Sequence, residues 1–222
     1  MEFAPFLTEQ IIPAFNRGLG NSMLLIVPSA IMGVVLGILA GTARAFGGPV
    51  LSRLAAWYAA LFRGTPLVAQ LFIWYFGLPN LGIYLSAYWA SVIGFGMCSG
   101  AYHSEYIRGG LLSIRRGQLL AAQSLGFSTA STLRSIIIPQ AFRRALPGCG
   151  NEIIYLIKYS SLAYIITFIE LTGEAKILAT RYFEFTEVFL VVGAYYLALV
   201  SLATWGLRVL ERRLHIPGFG RT

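Results

Sequence analysis

The sequence predicts an all-α integral membrane protein with five transmembrane helices, and three observations carry that prediction. Of its 222 residues, 57% are hydrophobic and only 12% are charged, a balance too apolar for a soluble domain of this length. The apolar residues gather into five runs, each near the roughly 20 residues that a helix needs to cross a bilayer. The basic residues sit at the edges of those runs, crowded on one side and sparse on the other, as orientation signals do. A net charge of +8 could suggest nucleic acid, but no contiguous basic stripe carries it, and that class is excluded.

The first run extends from about Gly20 to Ala43, with no charge between Arg17 and Arg44. Its Gly33, Gly37 and Gly41 recur at every fourth position and let another helix approach closely, either within the chain or at an interface. The second run, about Leu54 to Leu78, is interrupted by Arg63-Gly64-Thr65-Pro66. The third, about Tyr84 to Tyr102, follows the turn Pro79-Asn80-Leu81-Gly82, so the two form a hairpin. The fourth runs from about Ile153 to Thr172 and contains Lys158; the fifth, Val188 to Leu207, is free of charge. Glu2 and Glu9 precede any arginine, so the first span is expected to be retained rather than cleaved as a leader. Cys98 and Cys149 lie far apart without metal-ligand spacing and read as inert thiols, and His103 has no second ligand at suitable spacing, so no metal site is expected. Trp57, Trp74, Tyr75 and Trp89 read as lipid-facing bulk and interfacial anchors.

One side of the alternating spans collects Arg44, Arg53, Arg63, Arg108, Arg115, Arg116, Arg134, Arg143, Arg144, Arg208, Arg212, Arg213 and Arg221. The other holds Arg17, Lys176 and Arg181, with Lys158 left inside the fourth span. The first side therefore faces the cytoplasm, which puts the N-terminus outside, the C-terminus inside and the long loop between spans three and four in the cytoplasm.

That loop, about 115–141, is a polar, arginine-flanked island. Gln118 to Leu125 favours helix and ends at Gly126, which fits a left-handed cap; Ser128 or Thr129 can cap a second helix that continues over Thr132–Ile138 to Pro139. The resulting elbow presents Leu119, Leu120, Leu125 and Phe127 at helical spacing. Such an apolar face suits a groove on a partner, or equally the headgroup layer of a membrane.

The stretch Gly117-Gln118-Leu119-Leu120-Ala121-Ala122-Gln123-Ser124-Leu125-Gly126, followed by Ile136-Ile137-Ile138-Pro139-Gln140-Ala141, resembles the coupling loop of permease subunits of ABC importers. The resemblance to polar amino-acid importer permeases extends further. It takes in Phe62-Arg63-Gly64-Thr65-Pro66-Leu67-Val68-Ala69-Gln70-Leu71, Ser99-Gly100-Ala101-Tyr102, Glu105-Tyr106-Ile107-Arg108-Gly109, Ala145-Leu146-Pro147, Gly150-Asn151-Glu152 and Glu170-Leu171-Thr172. It implies the type I importer fold as a single domain over 1–222. It also implies a second permease subunit, identical or paralogous, two cytoplasmic ATPases that carry ATP and magnesium, an external solute-binding protein and an amino-acid cargo. Gln118, Leu119, Leu120, Ala121, Ala122, Leu125 and Gly126 would then grip the ATPase. Leu120 stands where that family's loop usually has glutamate, and Tyr159 follows Lys158 where the family often has aspartate.

Ionisable groups in hydrocarbon cost at least ~2.5–3.5 kcal/mol on insertion scales and so usually face a partner or a wet cavity. Lys158 reads either as a contact to a substrate carboxylate or as a snorkelling or internally paired lysine. Glu170 could receive a substrate cation or be solvated at the external interface, whereas Glu152 reads as a helix N-terminal charge. Ser160, Ser161, Thr65 and Gln70 could line a path or serve as interhelical glue. The chain has no phosphate-binding Gly-x-x-x-x-Gly-Lys-Ser/Thr motif, so it hydrolyses no ATP itself and needs no cofactor of its own. Two rival classes share the hydropathy. An intramembrane enzyme would need a paired-carboxylate, Ser–Lys or His-Glu-x-x-His arrangement that is not present, and an ATP-independent channel or facilitator would transport without partners.

Overall fold

The computed structural model describes residues 3–214, and among these no strand occurs. Glu2 and Arg221, both used above for topology, lie outside the described residues. The chain folds into α1 (Phe3–Phe46), α2 (Pro49–Gly64), α3 (Leu67–Leu81), α4 (Ala87–Leu112), α5 (Arg116–Ser124), α6 (Thr129–Ile166), α7 (Leu171–Tyr182) and α8 (Phe185–Leu214). Some of these pass through short π or 3₁₀ turns.

The centre is α4, packed between α1, α6 and α2. Its inward face is made of small and polar groups: Ser91, Ser99, Gly100, His103 and Ser104 are all buried. The glycine stripe of α1 meets that face. A Cβ on Gly33 would lie 2.9 Å from Ser99 Oγ, one on Gly37 2.3 Å from His103 Cβ, and one on Gly41 2.9 Å from the Ser104 carbonyl. The stripe thus joins two helices of one subunit, and the hydroxyls of α4 are shielded by neighbouring helices. Ser99, Ser104 and the His103 ring bond within α4 itself, so a helix of modest hydropathy is stable there.

Helix α1 begins 17 residues before the expected start of the first span, because Phe6, Ile11 and Phe15 bury against Leu171, Leu178 and Val188. Packing onto α7 and α8, rather than lipid, continues the helix. The second run is broken where expected. Thr65 is extended, Pro66 supplies no N–H, and α3 restarts at Leu67. Gly82, at φ +78°, turns the chain toward α4.

The fourth span requires correction. The helix neither stops at Pro139 nor starts at Ile153. It runs from Thr129 through Pro139 and Pro147 to Ile166, crossing the first proline beside a π turn (Leu133–Ile137), whose wider register accommodates a missing N–H. It ends at Thr167, in the left-handed region at φ 69°, and α7 departs at 53°. The predicted run to Thr172 therefore spans a break. Helices α1 and α8 are each long and apolar enough to cross a membrane alone, and α6–α7 would be a third if the bent pair counts as one span. Helix α4, at 26 residues, has a length of about 39 Å, ample for crossing.

Candidate functional site: a coupling elbow and a fourth-span face

The elbow is built from local chemistry. After α5 the Phe127 N–H bonds to the Ala122 carbonyl at 3.1 Å and the Gly126 N–H to that of Gln123 at 3.0 Å. This paired closure with Gly126 at φ +84° is a Schellman motif, which only a residue without a Cβ adopts freely. Ser128 then caps α6, its hydroxyl accepting from the Ser131 N–H at 3.2 Å; Thr129 serves no such role.

Of the seven sequence-predicted coupling residues, Leu125 is 78% and Leu120 54% exposed, and Gln118, Ala121 and Gly126 are also at the surface. Leu119 is half-buried. Ala122 differs: it is 4% exposed and faces its own chain, so it fixes the elbow from beneath. Phe127, Leu133 and Ile138 extend the exposed apolar surface along the start of α6.

The fourth-span candidates do not converge on one site. Lys158 is exposed near the end of the α-helical part of α6, with Nζ 4.2 Å from the Tyr155 ring centroid. Tyr155 and Tyr159 stack one helical turn apart, with centroids at 5.8 Å and 14° between planes. Together they form a cationic, aromatic surface on one face of the helix. Ser160 and Ser161 donate to the carbonyls of Ile157 (2.7 Å) and Lys158 (2.8 Å), where the helix tightens to 3₁₀. Glu152 is not at a helix start. It lies mid-helix, buried, with its carboxylate toward Ser99 of α4, so the helix-dipole reading does not hold there.

Thr65 and Gln70 are brought together at the break between α2 and α3. The Gln70 amide donates to the carbonyls of Phe62 (2.8 Å) and Thr65 (3.1 Å) and to the Thr65 hydroxyl (2.9 Å). Gln70 thereby satisfies the Phe62 carbonyl, which Pro66 has no N–H to reach, and its side chain ties the two helices together across the break. Glu170 is fully buried rather than solvated at an interface. It caps α7, with Oε2 accepting from the Thr172 N–H and the Tyr196 hydroxyl and Oε1 from the Gly173 N–H, all at 2.9 Å.

An ionic junction escaped the sequence reading. Arg44 of α1 donates to Glu105 of α4 at 2.9 Å, Arg63 of α2 pairs with the same oxygen, and Arg108 reaches the other oxygen at 3.4 Å. One signal was available: Glu105 is the single acidic residue between Glu9 and Glu152, amid many arginines.

Comparison with known proteins gives this geometry its context. The sequence matches, over residues 33–216, the family described as binding-protein-dependent transport system inner membrane component. It is 38% identical over 207 residues to a probable amino-acid ABC transporter permease protein, YckA, of Bacillus subtilis, covering 93% of this chain and 92% of that one. It is 36% identical to the glutamine transport system permease protein GlnP of Escherichia coli, covering 92% and 94%. The crystal structure of an amino acid ABC transporter with histidines superposes with a TM-score of 0.88 at 31% identity, covering 96% of this chain and 99% of that one. The chain belongs to the family of binding-protein-dependent transport system inner membrane components, the non-catalytic membrane permeases of ABC transporters.

Proposed function

We propose that this chain forms half of the translocation pathway of an amino-acid importer, crossing the inner membrane five times with its N-terminus outside and its C-terminus in the cytoplasm. Its partners are a second permease subunit, two cytoplasmic ATPases holding ATP and magnesium, and an external solute-binding protein. The observation that supports this best is the continuity of α6. One helix runs from the elbow at Thr129 to Lys158, about 44 Å at 1.5 Å per residue, with Gly126 as the joint at one end and the Tyr155–Lys158–Tyr159 face at the other.

A rigid rod between a surface joint and a membrane-embedded face can convert closure of an ATPase dimer into movement of the pathway wall. Gln118, Leu119, Leu120, Ala121 and Leu125 seat in the ATPase, and Ala122 and Gly126 hold their geometry. Lys158 is the group that meets cargo, through the carboxylate shared by amino acids. Thr65, Gln70, Ser160, Ser161, Glu152 and Glu170 shape the wall through the intrachain bonds described above.

The test is uptake into liposomes carrying the chain with its partners, driven by enclosed ATP. Uptake should require both ATP and loaded binding protein, and Lys158→Met should reduce it without loss of assembly, since the side chain is exposed and its removal leaves the core intact. Transport by the chain alone without ATP would establish a facilitator instead, and normal uptake by Lys158→Met would leave that residue a packing role.

A further inference from the structure

Four of the chain's tyrosines stand in two matching pairs, each pair one helical turn apart: Tyr102 and Tyr106 on α4, Tyr155 and Tyr159 on α6. Packing of α4 on α6 brings the pairs together. A Cβ on Gly148 would fall 2.4 Å from the Tyr106 ring, so that ring lies directly on the backbone of α6. The hydroxyls of Tyr106 and Tyr159 are each within electrostatic reach of Tyr102 and Tyr155. Lys158 stands beside them, with Nζ over the Tyr155 ring.

Two features mark this face as one that meets a polar ligand. Tyr58, Tyr182 and Tyr196 hydrogen-bond within the chain, whereas among the described residues the hydroxyls of these four tyrosines bond to nothing. A phenol left unbonded in apolar surroundings is costly, so they need water or a ligand. Lys158 likewise has no carboxylate partner among the described residues. The acids of the fourth span and of α7 are all engaged: Glu152 is buried with its carboxyl toward Ser99, Glu170 is bonded throughout in the α7 cap, and Glu174 pairs with Arg17.

These groups define what the face can accept. Lys158 takes one carboxylate, and the tyrosine rings offer their negative faces to one ammonium. A second positive charge on the cargo would find no exposed carboxylate here. A second negative charge would find no free cation, because Arg63, 5.6 Å from the Tyr102 ring centroid, is already paired with Glu105.

We propose that the tyrosine face selects amino acids with an uncharged side chain, holding the α-ammonium against the rings while Lys158 holds the α-carboxylate. The selection rests on Lys158 meeting cargo, as argued above. Tyr159, 42% exposed, is its central residue.

The test uses the intact nucleotide-free complex without the solute-binding protein, so that only the membrane site reports. The complex is dialysed to equilibrium against a mixture of the standard amino acids, and the retained set is read by mass spectrometry. Neutral amino acids should be retained at least about tenfold over arginine, lysine, aspartate and glutamate. Tyr159→Leu should lower that retention about tenfold, while Tyr159→Phe, which keeps the ring, should preserve most of it. Tyr84→Leu, at an exposed position beyond the Gly82 turn, should change nothing. Equal retention of charged and neutral amino acids, or neutral retention that Tyr159→Leu leaves unaltered, would overturn the assignment. Basic amino acids retained by the parent and lost in Lys158→Met would overturn this selection alone and leave Lys158 as a cargo contact. No retention at all, or a retained set indifferent to Lys158→Met, would overturn both.

Discussion

Replacing Gly126 separates the elbow's backbone from its surface, because at φ +84° an added Cβ would meet nothing within 4 Å. The penalty is then conformational rather than steric. A left-handed residue with a Cβ costs about 1–2 kcal/mol, and Gly→Ala recovers about 0.4–1 kcal/mol by restricting the unfolded chain. Gly126→Ala should therefore lose about 1 kcal/mol, roughly a fivefold shift from the closed elbow toward an open one. Valine should lose more because a β-branched residue is a rarer occupant of that region, and asparagine less because it tolerates it. Gly117→Ala is the matched control. It too has nothing within 4 Å, but it lies in α5 with ordinary backbone, where alanine should be neutral or stabilising. The assay is ATPase activity of the reconstituted complex stimulated by loaded binding protein, alongside membrane insertion. Stimulation should fall in the order Gly, Asn, Ala, Val with insertion unchanged. Full stimulation in Gly126→Val, or equal impairment by Gly117→Ala, would refute the argument that the joint's geometry transmits force.

The apolar character of the grip is separately testable: with Leu120 exposed in place of an acidic residue, the ATPase should stay bound as salt is raised and detach on Leu120→Lys in a pull-down. Gly37→Ala should lower thermal stability by about 1–3 kcal/mol of overpacking, since its Cβ would fall 2.3 Å from that of His103, whereas Gly20→Ala, with open space around it, should not. Glu170→Ala should lower the melting temperature through loss of the α7 cap, about 0.5–2 kcal/mol, and impair uptake of every amino acid alike; selective loss of cationic substrates with unchanged melting would restore a cargo-contacting role. Ala122→Trp should destabilise the chain itself, read as a lower melting temperature, while Ala121→Trp should leave folding intact and block ATPase docking.

The parts of this architecture that were legible in sequence are those set by local chemistry. Gly126, Ser128, the Thr65–Pro66 break and the Gly82 turn each follow from a backbone requirement of a few residues, and each occurs where the residues place it. Apolar runs likewise located α1 and α8, each of which holds an apolar stretch long enough to cross a membrane. What sequence concealed depends on residues far apart. Charge alone could not reveal that Glu105 gathers arginines from α1, α2 and α4, because the arginines had an adequate explanation as orientation signals. Nor could hydropathy distinguish an external glutamate from a buried cap: Glu170 needs the turn at Thr167 and the hydroxyl of Tyr196, 26 residues away, to be stable where it is.

The course of α6 shows why the missed features matter to function. Proline at 139 argued for separate helices in the loop and the membrane, and an elbow made of two short loop helices would flex independently of the span behind it. A π turn beside that proline, and close packing around Gly148 and Gly150 beyond Pro147, instead keep one continuous rod. The exposed apolar surface at the start of α6, Leu133 and Ile138, and the Lys158 face therefore cannot move separately without bending α6. The changes of direction fall at its ends, at Gly126 before it and Thr167 after it, both in the left-handed region, where a small backbone rotation would swing a whole helix.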